Sequence, residues 1–286
     1  MRRTIILLVI SFLLPSMAQA GPWTPAPLSG YAKAWVKWLP GFGFHTGDSQ
    51  TLDYGAYNEI ALNVYGELGV FRGVAVWLHA PLLQIFTLAD PRPGQGSSKH
   101  VSIGDPALGL RWQALNIGRV VAALSLGIRI PIADADPVQT VYGTDPGNPQ
   151  IGELKVGAGV VNLPASISVG YGGDRFHLAG EVGYRYRSGD FDHDLLWGVE
   201  GGFRFSKRWS GLLRVSGVHA IDVGAAPRHL SPSGIGNGTS YIGIALEGGF
   251  AISKRLTIGA SLEGGLLAVR RQSGGPVISL YAATAF

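Results

Sequence analysis

A Glu-x-Gly motif recurs along this sequence and supplies residue types that form ion pairs. It occurs five times, and two copies extend to Glu-x-Gly-x-Arg, at residues 181–185 and 200–204. On a β-strand a spacing of two places side chains on one face, and a guanidinium can bind a carboxylate through two parallel hydrogen bonds. The motif therefore predicts paired carboxylates and guanidiniums on one face of several strands, with the glycines leaving room for them.

Residues that could catalyse a reaction do not form a recognisable catalytic set. None of the seven histidines belongs to a recognisable arrangement for nucleophilic attack with serine and an orienting partner. The most enzyme-like cluster, Phe191-Asp192-His193-Asp194, falls in one predicted tight turn without a partner acidic pair, so we interpret it as a solvated hairpin tip. With Asp190, its aspartates offer only an incomplete set of Ca²⁺ ligands. We predict no enzyme, no catalytic residue, no metal site and no cofactor.

The elements that carry these residues are short segments in which polar and apolar side chains alternate. From Phe176 to Arg187 the odd positions are polar or small, whereas the even positions are aromatic, aliphatic or glycine. This alternation is typical of a strand with one wet and one apolar face. Segments of this kind predict an all-β, up-and-down antiparallel barrel of about twelve strands, at 30–39, 57–70, 74–86, 101–115, 120–131, 153–171, 176–188, 194–205, 210–220, 240–252, 257–269 and 277–286.

The connections between these segments alternate in length. Short turns are predicted at 71–73, 116–119, 172–175, 206–209 and 253–256. The longer connections are rich in Gly, Pro, Asp and Ser, at about 40–56, 87–100, 132–152, 189–193, 221–239 and 270–276. Short periplasmic turns and longer outer loops are typical of outer-membrane barrels, and an even number of strands places both termini on the periplasmic side.

The beginning of the chain has the pattern of a secretory signal peptide. Two arginines precede an apolar core at residues 4–14, and the small residues Ala18 and Ala20 follow it. The core is too short to span a bilayer as a helix, which needs about 20 apolar residues. We therefore expect cleavage after Ala20.

Composition favours a membrane barrel for the rest of the chain. Hydrophobic residues make up 46%, charged residues only 15%, and there is no cysteine; soluble domains are about 25% charged. A soluble barrel would show the same alternation, so the signal peptide, the low charge and the loop lengths are what place the apolar faces toward lipid. We predict a Gram-negative outer-membrane protein with a signal peptide at 1–20, a Pro-rich periplasmic leader at 21–29 and a transmembrane barrel at 30–286.

With the apolar faces outward, the charged residues point into the lumen. On the lipid face an Arg or Lys at mid-bilayer would cost ~2–4 kcal/mol. The predicted lumen-lining residues are Glu67, Asp105, Arg111, Arg129, Glu181, Arg185, Glu200, Arg204, Arg214, Glu247 and Glu263. The formal net charge of +4 includes two arginines of the predicted signal peptide, and it gives nucleic-acid binding no support.

The last predicted strand ends the sequence on an aromatic residue, Phe286. An alternating C-terminal strand with a terminal Phe resembles the signal that the barrel-insertion machinery of the outer membrane reads. The expected partners are thus outer-membrane lipid, that insertion machinery and a small-molecule solute.

The stretch from Ser102 to Trp112 contains a Gly-Asp-x-x-Leu-Gly motif interrupted by Pro106. Proline cannot donate to a ladder, so we expect a bulge or bend there, forming either a kink or a lateral opening. Together with the later strand at 181–187 and the terminal aromatic, this stretch resembles the outer-membrane family labelled as belonging to the meta-cleavage (MetA) pathway of phenol degradation. Asp105 matches that family's motif, whereas Pro106 replaces a position that usually continues the strand.

The resemblance extends over most of the chain after the signal peptide. It implies a transporter-like barrel that passes small, often aromatic or hydrophobic, molecules. Two functions therefore stay open: a channel or transporter for small molecules, and a closed structural or surface-interaction barrel whose lumen is filled by its Glu and Arg residues.

Overall fold

The computed structural model describes residues 21–45, 51–136, 138–144, 150–221, 223–224, 237–269, 271–274 and 276–286. The predicted signal peptide lies outside these residues. The strands are β1 Gly30–His45, β2 Thr51–Phe71, β3 Val74–Ala89, β4 Ser97–Ser102, β5 Ala107–Ile117, β6 Val120–Arg129, β7 Gln139–Tyr142, β8 Gln150–Leu154, β9 Asn162–Gly172, β10 Phe176–Arg187, β11 His193–Arg204, β12 Trp209–Ile221, β13 Ser240–Ala251, β14 Leu256–Val269, β15 Arg271–Gly274 and β16 Val277–Ala285. Within the described ranges, no helix has the length and apolar character needed to cross a membrane.

Twelve strands form one closed wall in which every pair of neighbours runs antiparallel: β1, β2, β3, β5, β6, β9 to β14 and β16. β16 pairs with β1 from Tyr31↔Ala285 to Trp38↔Ile278, which closes the barrel. The predicted up-and-down barrel of twelve strands is therefore confirmed. β4 and β15 extend the wall beside β3 and β1, and β7 and β8 form a separate hairpin.

The barrel is apolar outside and charged inside. Outward side chains such as Leu126, Leu246 and Leu280 are 60–66% exposed, whereas the inward carboxylates of Glu67 and Glu200 are only 6% exposed. A soluble barrel has the opposite arrangement, because water would solvate the charges and the apolar side chains would pack inside. This surface is suited to contact with lipid hydrocarbon.

The two ends of the barrel differ as the sequence predicts. The wall strands are joined at one end by connections of two to four residues, here called the short-turn end, and at the other by the longer connections, here called the loop end. Both chain ends of the barrel lie at the short-turn end, where Gly30 and Phe286 exchange backbone hydrogen bonds of 2.8 and 3.0 Å. The Phe286 ring lies against Gly30 and is 57% exposed; its role as an insertion signal stays a prediction.

The predicted loop at 40–56 is wrong, because most of it is strand. β1 continues to His45 and β2 begins at Thr51. The glycines and proline of this segment are typical of a loop, but β1 and β2 stay paired through it, with a register shift between Gly41 and Gly43. Backbone pairing with β2 and β15 thus overrides the local composition.

The predicted strand at 101–115 is interrupted, as the proline suggests. β4 ends at Ser102 and β5 begins at Ala107, and both pair with β3. Across the break, the Gly104 N–H donates to the carbonyl of Pro81, and the carbonyl of Pro106 accepts from Ile130. Two backbone hydrogen bonds therefore tie the interruption at 103–106 to its neighbouring segments.

The predicted strand at 153–171 is also wrong in its first half. The segment up to Leu154 belongs to the β7–β8 hairpin, and the wall strand begins only at Asn162. The hairpin folds inward at the loop end, where Val141 and Leu154 join a buried apolar cluster with Tyr57 and Phe86 of the wall. Apolar residues of this connection therefore pack in the lumen rather than form another part of the wall.

Candidate functional site

The inner face of the barrel carries several separate ion pairs, and Glu67 with Arg111 is a well-enclosed one. Arg111 Nη1 lies 2.9 and 2.7 Å from the two carboxylate oxygens of Glu67, and the side chains are 12% and 4% exposed. The Tyr65 hydroxyl donates to the same carboxylate at 2.7 Å. Glu67 on β2 and Arg111 on β5 meet because β3 presents the small, fully buried Ala75 between them.

A second pair joins neighbouring strands on the opposite side of the barrel. Glu200 on β11 stands directly opposite Arg214 on β12, and their closest atoms are 2.6 Å apart. His177 Nε2 lies 3.6 Å from the other oxygen of Glu200. Glycine at 202 is required here, because a Cβ at that position would overlap the His177 ring.

A third pair includes a lysine that sequence reasoning missed. Lys33 Nζ on β1 lies 2.8 Å from Glu247 on β13 and 4.0 Å from the centre of the Tyr281 ring. Lys33 and Lys37 occupy the inward positions of an alternating strand, so the parity that identifies the glutamates also identifies these lysines.

The loop end of the lumen encloses a cavity of about 320 Å³. Lys37 pairs with Glu59 at 2.8 Å, and Arg185 pairs with Asp194 at 2.6 Å. The charged residues that line the cavity are Lys37, Glu59, Asp105, Arg129, Arg185, Arg187 and Asp194. The sequence did not predict that these residues meet in one cavity, because they come from five different strands and one connection.

The carboxylate of Asp105, beside Pro106, accepts hydrogen bonds from the connection that follows β6. One oxygen accepts the backbone N–H groups of Ile132 and Ala133, at 3.0 and 2.9 Å, and the other accepts that of Ala158 at 3.4 Å. The side chain therefore holds both ends of the inward-folded connection at the cavity wall.

The Glu-x-Gly-x-Arg motifs do not pair internally. Residues four apart on a strand are about 13 Å apart, so Arg185 binds Asp194 instead, and Arg204 donates to the backbone carbonyl of Asp174 at the short-turn end. Glu181 and Glu263 occupy inward positions but have no ion pair within the described ranges. Some of the predicted lumen-lining residues therefore form ion pairs, whereas others have no ion pair within the described ranges.

The prediction that residues 191–194 form a solvated hairpin tip is wrong. Asp192 and Asp194 are each 1% exposed. Asp192 contacts Asn237 and Gly224, and Asp194 lies on β11 facing the cavity. His193 lies on the other face and contacts the rings of Tyr184 and Tyr186. In the part of the chain that is described, no three His, Asp or Glu side chains converge as metal ligands.

The Pro-rich leader at 21–29 packs inside the barrel at the short-turn end. The Trp23 indole contacts the His177 ring, and a Cβ on Gly170 would lie only 2.6 Å from it. Thr24 donates twice to the Gln113 side chain, and Leu28 bonds to Gly69 before β1 begins.

The leader therefore crosses the lumen. Its first residues contact β9 and β10, and its end joins β1, which lies six strands from β10 in the twelve-stranded wall. The glycines at 170 and 172 leave space for the Trp23 indole against β9. A pattern of prolines predicts an irregular segment but does not predict where it packs.

These features define the class of protein. A closed antiparallel wall with an apolar outer surface and an ion-paired interior is a transmembrane β-barrel, and the chain is a porin-like barrel of the outer membrane. No protein-family model matches the chain, and no curated protein matches it.

The fold is similar to the crystal structure of an outer-membrane channel from Pseudomonas putida F1. The TM-score is 0.66 at 10% identity, over 94% of this chain and 100% of that chain. More distant are the KdgM porin, with a TM-score of 0.47 at 7% identity over 89% and 99% of the two chains, and the CymD monoaromatic hydrocarbon channel, with 0.45 at 10% over 92% and 89%. At such identities the likeness to the first structure is one of fold.

Proposed function

We propose that this barrel is a channel or transporter that carries small molecules across the outer membrane. The observation that carries the proposal is the polar cavity of about 320 Å³ inside the wall, lined by charged side chains from five strands and one connection. A cavity of that size, with a few convergent polar groups, is typical of small-molecule sites. A barrel that only anchored surface loops would have no need of it.

The proposed solutes are small, because both ends of the lumen are narrowed. The β7–β8 hairpin fills part of the loop end, and the leader crosses the short-turn end. Aromatic rings such as the stacked pair Trp35 and His79 lie among the charges of the inner face. With the resemblance to the MetA-pathway family, they support solutes that are aromatic or partly hydrophobic, and membership of that family remains part of the proposal.

The alternative is a closed structural or surface-interaction barrel. The packing of the leader favours it, because Trp23 and its neighbours obstruct the path from the cavity to the short-turn end. The ion pairs of Glu67 and Glu247 narrow the same region. In that case the outer loops would carry the function.

Single-channel recording in planar bilayers tests the channel. The full barrel is expected to give small, steady conductance, and Trp23→Ala is expected to raise it severalfold, because loss of the indole frees the leader from the wall. The matched control is Trp209→Ala, on the outer surface at 56% exposure, which is expected to leave conductance unchanged. If both the full barrel and Trp23→Ala are folded and neither conducts, the channel is rejected in favour of the closed barrel.

A further inference from the structure

The loop-end cavity has more positive than negative charge to satisfy. Lys37, Arg129, Arg185 and Arg187 line it, against the carboxylates of Glu59, Asp105 and Asp194. Asp194 lies 2.6 Å from Arg185 and 4.0 Å from Arg187. Lys37 and Glu59 neutralise each other, and backbone N–H groups satisfy Asp105. Within the described ranges, the side chain of Arg129 forms neither an ion pair nor a hydrogen bond, although it lines the cavity.

Arg129 is held where a ligand could reach it. Residue 129 ends β6, with its backbone paired to β5 at Ala107 and to β9 at Asn162. A guanidinium in a partly buried place loses hydration, and only a counter-charge or acceptors can replace it. A planar guanidinium binds a carboxylate through two parallel hydrogen bonds.

Three further side-chain oxygens of residues that line the cavity lack a hydrogen bond, one on Asp194 and one each on Gln84 and Asn162, and the two amide oxygens require a donor. The side-chain oxygens of Gln84 and Asn162 are buried without a hydrogen bond, and both residues line the same cavity. Asn162 is only 4% exposed. Such oxygens would repel a bare halide and need a donor, which a ligand hydroxyl supplies.

Apolar side chains complete the lining. Phe86, Val156 and Pro81 border the same space, so the carbon skeleton of an organic ligand has a surface to contact. A cavity of about 320 Å³ is large enough for a single-ring molecule.

We propose that the loop-end cavity is a binding site for a small organic hydroxycarboxylate, whose carboxylate binds Arg129 and whose hydroxyl donates to Asn162 or Gln84. Arg185 and Arg187 add positive potential without leaving Asp194. The inference rests on the proposed channel function, because the ligand would be the molecule that the channel carries. The site itself is defined without reference to conductance.

Isothermal titration calorimetry of the full barrel in detergent, with 4-hydroxybenzoate as the probe, tests the site. The neutral analogue 4-hydroxybenzyl alcohol is expected to bind roughly tenfold more weakly or worse, because the charge-assisted hydrogen bonds are lost. Benzoate, which lacks the hydroxyl, is expected to bind roughly three- to tenfold more weakly. Equal binding of inorganic phosphate and 4-hydroxybenzoate would reject an organic ligand.

Variants at residue 129 locate the site. Arg129→Gln is expected to weaken 4-hydroxybenzoate binding by roughly tenfold or more, whereas Arg129→Lys retains part of it because the charge remains. Arg208→Gln removes the same charge from an exposed turn and is expected to leave binding unchanged. If Arg129→Gln binds like the unmodified barrel, the proposal is wrong. Binding without any conductance would keep the site and reject the channel, whereas conductance without binding would do the reverse.

Discussion

Replacing Arg111 by alanine is expected to lower the free energy of unfolding by about 3 kcal/mol, the lower end of the range for breaking one partner of a buried ion pair. The change leaves the carboxylate of Glu67, whose side chain is 4% exposed, without its counter-charge. The loss stays at the lower end because the Tyr65 hydroxyl still donates to Glu67. Reversible guanidinium unfolding in lipid vesicles, followed by tryptophan fluorescence, measures it.

The matched control for this variant is Arg72→Ala. Arg72 lies exposed in the short turn between β2 and β3, so its loss is expected to change stability by less than about 0.5 kcal/mol. The double variant Glu67→Leu with Arg111→Met is expected to recover most of the loss, because it removes both charges. Equal stability of Arg111→Ala and Arg72→Ala would show that the pair is unimportant for the fold.

Placing an arginine at Leu246 is expected to destabilise the barrel by ~2–4 kcal/mol, the cost of a cation on the lipid face near mid-bilayer. Leu246 is 60% exposed on the outer surface in the middle of β13. The preceding residue, Ala245, faces inward and stands directly opposite Glu263 on β14. Ala245 also stands opposite Arg214 on β12, but Arg214 is already paired with Glu200. Arginine at 245 is therefore expected to cost less than at 246, because Glu263 supplies a cross-strand carboxylate.

These two variants differ by one position and by the face of the wall. The fraction folded after insertion into vesicles, measured by the different gel migration of unheated and heated samples, compares them directly. A larger loss for Ala245→Arg than for Leu246→Arg would mean that the charged face is the outer one, and would contradict a membrane barrel.

The architecture of the barrel and the polarity of its two faces were predictable from the amino-acid sequence. Alternation is a local property of each strand, so it predicts twelve strands, the two kinds of connection, and the face on which Glu67, Glu200 and Glu247 lie. Low charge content then indicates which face meets lipid. Where composition conflicted with pairing, as at residues 40–56, the prediction failed because a neighbouring strand, rather than local preference, extended the ladder.

The contacts between inward side chains, in contrast, depend on the folded barrel. Lys33 and Glu247 are 214 positions apart in the chain, and the register and closure of the wall bring them together. Alternation along a strand predicts the face on which a side chain lies, but not the residue that it contacts. Trp23 packs against β9 and β10, and the β7–β8 hairpin folds into the lumen. Both arrangements depend on contacts between distant segments, which alternation within one segment does not predict. Arg129 was predictable as an inward charge, but its lack of a partner follows from the positions of all its neighbours.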